Sequence, residues 1–231
     1  PEFAALAYDN RVSDGTWPAG LAAPPLIGTS AFHNVSLRVG RLAAQKPFSL
    51  HDRMTWLLET LPHAREAHVA FLDAGDVACL CDDAEIAAKA RRLLAGRGST
   101  EALVVSAEAW IWPRSVTYRG ERAAKAYPPS STPLRFINVG GLLGRPLALA
   151  GVLNCMRRRY GFPATCPEAV NADGSYTLRP VATTLAESAG LNEQACWHVY
   201  LLEQSRGVLP PASECPRLVP DYDGELFLPL S

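Results

Sequence analysis

The stretch that most constrains the fold is residues 67–77, where an apolar run ends on two carboxylates with a glycine between them. Val69 to Leu72 are short, continuous and apolar, which predicts a buried strand. Asp73 and Asp76 follow, and in open α/β sheets ligands bind beyond the carboxyl ends of the strands. Two carboxylates there repel unless a cation lies between them, which favours a divalent metal with oxygen ligands. Taken alone, however, D-x-x-D is more typical of a polar turn with an ordinary Asp cap.

Strand and helix patterns alternate along the rest of the chain. The predicted strands are 3–7, 35–39, 69–72, 103–105 and 134–137. The predicted helices are 49–61, 83–94, 147–160 and 183–203. This alternation predicts an α/β fold with a largely parallel sheet flanked by helices. We expect one domain over residues 1–231, with residues 1–3 a cloning scar or a processed start.

Three further segments carry weaker local signals. Residues 138–141 predict a tight turn because they contain two adjacent glycines. Residues 161–179 predict a loop. Short strand-like pieces are expected at 207–209 and 225–228.

Net charge and hydrophobicity limit the kinds of partner that the chain is expected to bind. A formal net charge of -1 leaves no basic footprint for nucleic acid and no polybasic patch for a membrane surface. No apolar run reaches the roughly 18 residues that a spanning helix needs, and no signal peptide is visible. The start at Pro1 is compatible with a removed leader.

The cysteines and one glycosylation sequon indicate in which cellular compartment the protein is found. Six cysteines permit disulfides without requiring them. Cys79 and Cys81 have C-x-C spacing but no second pair, which argues against a zinc site. Asn34-Val35-Ser36 is a glycosylation sequon and indicates a secretory route. We therefore expect the lumen of the endoplasmic reticulum or Golgi, or secretion.

A series of short motifs runs in order through residues 32–230. Its members are Phe32-His33-Asn34 before Val39-Gly40, Gln45-Lys46, Phe71-Leu72-Asp73-Ala74-Gly75-Asp76-Val77, Ser106-Ala107-Glu108 before Trp112-Pro113, Tyr127-Pro128, Arg135 to Gly144, and Asn192-Glu193-Gln194. In order and spacing the series resembles the glycosyltransferase domain of the procollagen-lysine hydroxylase/glycosyltransferase family. The resemblance implies a GT-A-like nucleotide-binding domain. The implied activity is transfer of glucose or galactose from a UDP-sugar to a hydroxyl acceptor, of hydroxylysine type or on a glycan, with Mn²⁺ or another divalent cation.

The resemblance also implies roles at the diphosphate. Asp73 and Asp76 would hold the metal, which neutralises the leaving UDP. Lys46 would pair with a phosphate as a point charge; the alternative is a solvated loop lysine.

At the sugar, the resemblance implies contacts from three segments. Trp112 would wall the donor sugar, the alternative being a core residue. Asn138 with Gly140 and Gly141 would let an amide and the backbone approach the sugar hydroxyls, the alternative being a plain turn. Glu193 is the best carboxylate for binding the sugar or deprotonating the acceptor, the alternative being a helix-start acid. Glu193 and Asn138 are thus the candidate catalytic residues.

Two departures from the family pattern open a second hypothesis. Tyr222 stands where the family has a histidine that completes the metal site, and a neutral tyrosine is a poor ligand. Gly75 replaces an aromatic residue that would contact the nucleotide. Either the metal is held by fewer protein ligands, or Asp223 turns inward, or metal binding is weakened. The last case describes a degenerate, non-catalytic glycosyltransferase-like binding module.

Overall fold

The computed structural model describes residues 2–8, 25–40, 50–73, 77–95, 101–111, 127–170, 176–181 and 193–227. The strands in these ranges are β1 (Phe3–Tyr8), β2 (Leu37–Gly40), β3 (His68–Asp73), β4 (Leu103–Glu108), β5 (Phe136–Gly144), β6 (Thr165–Val170), β7 (Tyr176–Pro180) and β8 (Leu218–Pro220). The five α-helices are α1 (Pro25–Phe32), α2 (Leu50–Thr60), α3 (Asp83–Ala95), α4 (Pro146–Tyr160) and α5 (Gln194–Ser205).

Six strands form one mostly parallel sheet in the order β2-β1-β3-β5-β4-β8. Strand β1 pairs in parallel with β2 and β3, and β4 pairs in parallel with β8. Only β5 runs antiparallel to its neighbours β3 and β4. The predicted α/β class with a largely parallel sheet flanked by helices is therefore confirmed.

The sheet is covered on both faces, because alternate residues of its strands enter different apolar clusters. Leu6, Phe71 and Val105 pack in one cluster with side chains of α2, α4 and α5. Ala7 and Leu72 pack in the other with side chains of α1 and α3. Central strands buried on two faces explain why β1 and β3 are continuous apolar runs. In the described ranges no helix has the length and apolarity to cross a membrane.

Helix α3 shows how local sequence sets an element's start. The Asp82 carboxylate accepts a hydrogen bond from the Glu85 backbone N–H at 2.9 Å, as an N-cap does. Asp83 and Glu85 lie in the first turn, where the helix dipole favours negative charge. The predicted helix over 83–94 is confirmed.

Several local predictions were wrong. Residues 138–141 do not turn, because β5 continues through them to Gly144. Strands β6 and β7 form an antiparallel hairpin inside the segment predicted as a loop. Residues 207–209 and the described part of 225–228 are not strands, whereas β8 was not anticipated. Of the predicted helix 183–203, only the part from Gln194 lies among the described residues, and it is helical.

Two disulfides staple the half of the molecule built on α4 and α5. Cys155 of α4 is bonded to Cys215, and Cys166 of β6 is bonded to Cys196 of α5. Cys79 and Cys81 are free thiols. The four bonded cysteines are buried in the core.

Candidate functional site

Asp73 is the last residue of β3, at the carboxyl-terminal ends of the parallel strands. It is in register with Tyr8, the last residue of β1, and Gly40 ends β2 beside Tyr8. The Asp73 side chain is 32% exposed, so it is reachable from solvent. Its predicted partner Asp76 lies outside the described residues, as do Lys46 and Trp112, and their roles stay predictions.

A bulge in β5 brings the Asn138 segment to Asp73. Strand β4 pairs Val105 with Leu142 but the next residue, Ser106, with Asn138. Three residues of β5 therefore have no partner on β4, and such bulges bend a strand and redirect side chains. The Gly-Gly pair therefore lies in a bulge of β5 and not in the predicted turn.

Gly140 lies where Asp73 and Asn138 meet. A Cβ built on Gly140 would lie 2.9 Å from Asn138 Oδ1 and 3.1 Å from Asp73 Oδ2. The Gly140 N–H donates to Asn138 Oδ1 at 2.7 Å. Any side chain at position 140 would push these two polar groups apart. Three of the predicted site residues are thus brought together.

Gly141 has a different neighbour. A Cβ there would lie 2.6 Å from Cδ1 of the Phe227 ring. Phe227 is held in place because its N–H and that of Leu226 each donate to Asp221 Oδ2 at 2.8 Å. Gly141 therefore makes room for an aromatic ring of the C-terminal segment.

Arg53 of α2 links Asp73 to Glu193. Its Nη1 pairs with Asp73 Oδ1, and its Nη2 pairs with Glu193 Oε1. The side chains of Arg53 and Glu193 are only 8% and 3% exposed. The Arg53 guanidinium also lies over the Phe71 ring, 5.5 Å from its centroid. We call Arg53, Asp73 and Glu193 the Arg53 cluster.

The Arg53 cluster has one cation for two carboxylates. Burial raises the pKa of Glu193, and the positive charge of Arg53 opposes that rise. Within the described part of the chain, Glu193 Oε2 and Arg53 Nε are buried without a hydrogen-bond partner. Unpaired buried polar atoms cost free energy, and sites that bind ligands are where such capacity is retained.

Glu108 fixes the orientation of Asn138. Its carboxylate accepts from Asn138 Nδ2 at 3.1 Å and from Gln194 Nε2 at 3.5 Å. Burial raises the pKa of Glu108, and these two hydrogen bonds oppose the rise. Gln194 also donates to the Ile137 carbonyl at 3.3 Å. The ends of β4 and β5 and the start of α5 are thereby tied together.

The segment around Tyr222 offers little to a metal. Asp221 is buried, and its two oxygens accept from the backbone N–H groups of Glu225, Leu226 and Phe227. Asp223 is exposed and does not turn inward. The Tyr222 hydroxyl is buried. Tyr222 and Asp223 lie in a turn.

The metal prediction remains without support among the described residues. Among them no three His, Cys, Asp or Glu side chains are grouped as a metal site. Asp73 has the chemistry of a metal ligand, since it is a hard, partly exposed carboxylate. Arg53 competes with a metal for its Oδ1 atom.

Sequence reasoning missed Arg53 and Gln194. Arg53 follows Leu50 by three residues and precedes Leu57 by four, which places it on the apolar face of α2. A charged residue on such a face is buried only when it is paired, and this was a usable signal. Gln194 had been noted only as part of the Asn192-Glu193-Gln194 motif.

Comparison with known proteins adds no family. No protein-family model matches the chain, and no curated protein matches it. Among solved structures, the "Crystal Structure of A197 from STIV" is similar with a TM-score of 0.36 and 14% sequence identity, over 75% of this chain and 73% of that one. A similarity of this size carries no argument about fold or function.

Proposed function

We propose that the chain is a UDP-sugar-dependent glycosyltransferase, similar to the glycosyltransferase domain of the procollagen-lysine hydroxylase/glycosyltransferase family and GT-A-like in fold. The observation that carries the proposal is that residues from separate sequence motifs are in contact in the structure. Asp73, Asn138, Gly140 and Glu193 were singled out from motifs up to 120 residues apart along the sequence, and contacts among themselves and with Arg53 join them at one sheet edge.

In this proposal the Arg53 cluster receives the donor. Arg53 fixes the Glu193 carboxylate so that its unpartnered Oε2 accepts a hydrogen bond from a sugar hydroxyl. Asn138, oriented by Glu108 and Gly140, retains one N–H and one lone pair for a second hydroxyl. Fixed polar groups of this kind lose little entropy on binding.

A divalent cation held by Asp73 and Asp76 would supply charge neutralisation of the departing diphosphate. Lys46 would add a positive charge there, and Trp112 a wall for the sugar. The acceptor is a hydroxyl on a protein or a glycan. The buried position of Glu193, 3% exposed, favours sugar binding over deprotonation of the acceptor.

The second candidate is a binding module without turnover. One observation favours it: Arg53 already neutralises the Asp73 carboxylate, which weakens that residue as a metal ligand. The absence of a histidine at Tyr222 acts in the same direction. Both candidates use the same sheet edge, so a turnover assay separates them.

The test is release of UDP from UDP-glucose and from UDP-galactose, with Mn²⁺ and with chelator, in the presence of a hydroxylysine peptide. We expect Mn²⁺-dependent release from one donor, falling at least about a hundredfold in Asp73→Asn, equivalent to about 3 kcal/mol. Glu225→Gln, an exposed carboxylate, serves as the matched control. Release no faster than the blank with folded protein would overturn the transferase and leave the binding module.

A further inference from the structure

The turn between α1 and β2 displays the glycosylation sequon of the sequence. Asn34 lies in this turn with a φ of 55°, a left-handed conformation that asparagine tolerates better than most residues. Asn34 and Ser36 are exposed, whereas Val35 between them is buried in the core. The two residues that define an N-x-S acceptor thus face solvent on a firmly anchored turn.

An open hollow lies directly beside Asn34. It measures about 480 Å³ and is lined by Phe32, His33, Asn34, Asp82, Asp83 and Ala84. Phe32, two residues before Asn34, is 84% exposed, the largest exposed fraction among the large apolar side chains of the described residues. Aromatic faces pack well against sugar rings, and a sugar on Asn34 would cover this one.

The disulfides give an independent reason to expect a glycan. Four of the six cysteines are bonded in pairs. Such bonds form and persist in oxidising compartments such as the lumen of the endoplasmic reticulum. Glycosylation of N-x-S/T asparagines is likewise a feature of secreted proteins.

A glycan on Asn34 would leave the candidate site open. Asn34 precedes β2 and so lies at the amino-terminal end of the parallel strands. Asp73 ends β3 at the carboxyl-terminal end. The two positions are therefore at opposite ends of the parallel strands.

We propose that Asn34 carries an N-linked glycan whose first N-acetylhexosamine packs on Phe32 at the hollow. In the transfer, Asn34 Nδ2 forms a bond to C1 of the sugar and releases one proton to the solvent. The bond from C1 to the diphosphate of a lipid-linked oligosaccharide breaks, and the lipid diphosphate leaves with the bonding pair. Nothing is oxidised or reduced. The assignment is independent of transferase activity.

The test is translation of the whole chain behind a cleavable leader in the presence of microsomes. Asn34 is the only asparagine in an N-x-S/T sequence, so any shift that an N-glycosidase reverses reports on it. We expect the protease-protected chain to shift by one glycan. Ser36→Thr should keep the shift, and Asn34→Gln and Ser36→Ala should abolish it. Protected chain that runs unshifted would overturn the proposal.

A second measurement tests the packing on Phe32. The glycosylated protein and Asn34→Gln are compared by thermal unfolding, and the same comparison is made in a Phe32→Ala background. We expect the glycan to raise Tm by a few degrees with Phe32 present, and by less than half as much without it. An equal rise in both backgrounds would overturn the contact with Phe32.

Discussion

Two arginine–glutamate clusters lie near the two ends of α5, and they differ in charge balance, since Glu193 directly precedes this helix and Glu203 lies near its end. In the Arg159 cluster, formed by Arg159, Tyr160, Tyr176 and Glu203, one cation meets one carboxylate. Arg159 Nε and Nη2 donate to Glu203 Oε2 at 3.2 and 3.0 Å, and Nη2 also donates to the Tyr176 hydroxyl at 2.9 Å. The Arg53 cluster has one cation for two carboxylates.

The difference separates a structural network from a candidate binding site. No atom of the Arg159 cluster is among the buried polar atoms without partners in the described residues, whereas the Arg53 cluster has two. The Arg159 cluster also lies on the helices that the two disulfides staple. A buried network that is fully satisfied stabilises a core, and one that is not carries excess charge and spare hydrogen-bonding capacity.

The largest effect on stability should come from the stapled half. Cys155 and Cys215 close a loop with a sequence separation of 60. By the chain-entropy model, Cys155→Ala with Cys215→Ala should lower the free energy of unfolding by about 4 kcal/mol, measured in urea. Affinity for a UDP-sugar should stay within twofold. A tenfold loss of affinity would show that the candidate site depends on this disulfide.

Glu203→Gln should give the next largest effect. It removes the carboxylate that is paired with Arg159, and breaking a largely buried ion pair costs about 3 kcal/mol. Urea unfolding measures the loss. Arg157→Ala, an exposed change on α4, the helix that carries Arg159, is the control and should stay within about 0.5 kcal/mol. A loss of unfolding free energy as small as that of the control would show that the Arg159 cluster does not stabilise the fold.

Glu193→Gln is the matched change in the Arg53 cluster. It leaves Arg53 paired with Asp73 in a balanced cluster, so the free energy of unfolding should change by less than about 1 kcal/mol. UDP-sugar affinity should fall at least about tenfold, or 1.4 kcal/mol. Urea unfolding and calorimetric titration measure the two quantities. A loss of stability equal to that of Glu203→Gln, with unchanged affinity, would make both clusters structural.

The smallest effect concerns pH. Burial raises the pKa of Glu108 above its ordinary value of 4.5, so the folded state binds more protons than the unfolded state above that pH. Stability from this group is complete below pH 4.5 and is lost as the pH rises through the folded pKa. Glu108→Gln should therefore make the fall in unfolding free energy with rising pH shallower. An unchanged slope would mean that Glu108 is solvated.

The sequence predicted what depends on local pattern. Continuous apolar runs identified β1 and β3, and the helical pattern over 83–94 identified α3. The motifs also selected Asp73 and Glu193, which Arg53 connects. The resemblance to a glycosyltransferase family stays a prediction.

The predictions that were wrong concern features that depend on contacts between residues far apart in the sequence. Gly140-Gly141 has the local signature of a turn, but β5 pairs with β3 from Gly141 onward and with β4 on both sides of a bulge, so the strand continues through these residues. The β6–β7 hairpin lacks clear alternation of apolar and polar residues, and it is tied to α5 through Cys166. Arg53 meets partners 20 and 140 residues away, which no local pattern records.

The most direct test of the Arg53 cluster as the donor site is calorimetric titration of UDP-glucose and UDP-galactose, each with Mn²⁺ and with chelator. The account predicts Mn²⁺-dependent binding of one sugar nucleotide to the wild-type chain, loss of that binding in Asp73→Asn, and retention in Glu203→Gln. Equal binding in wild type and Asp73→Asn, or no binding to the folded wild-type chain under any condition, would contradict it.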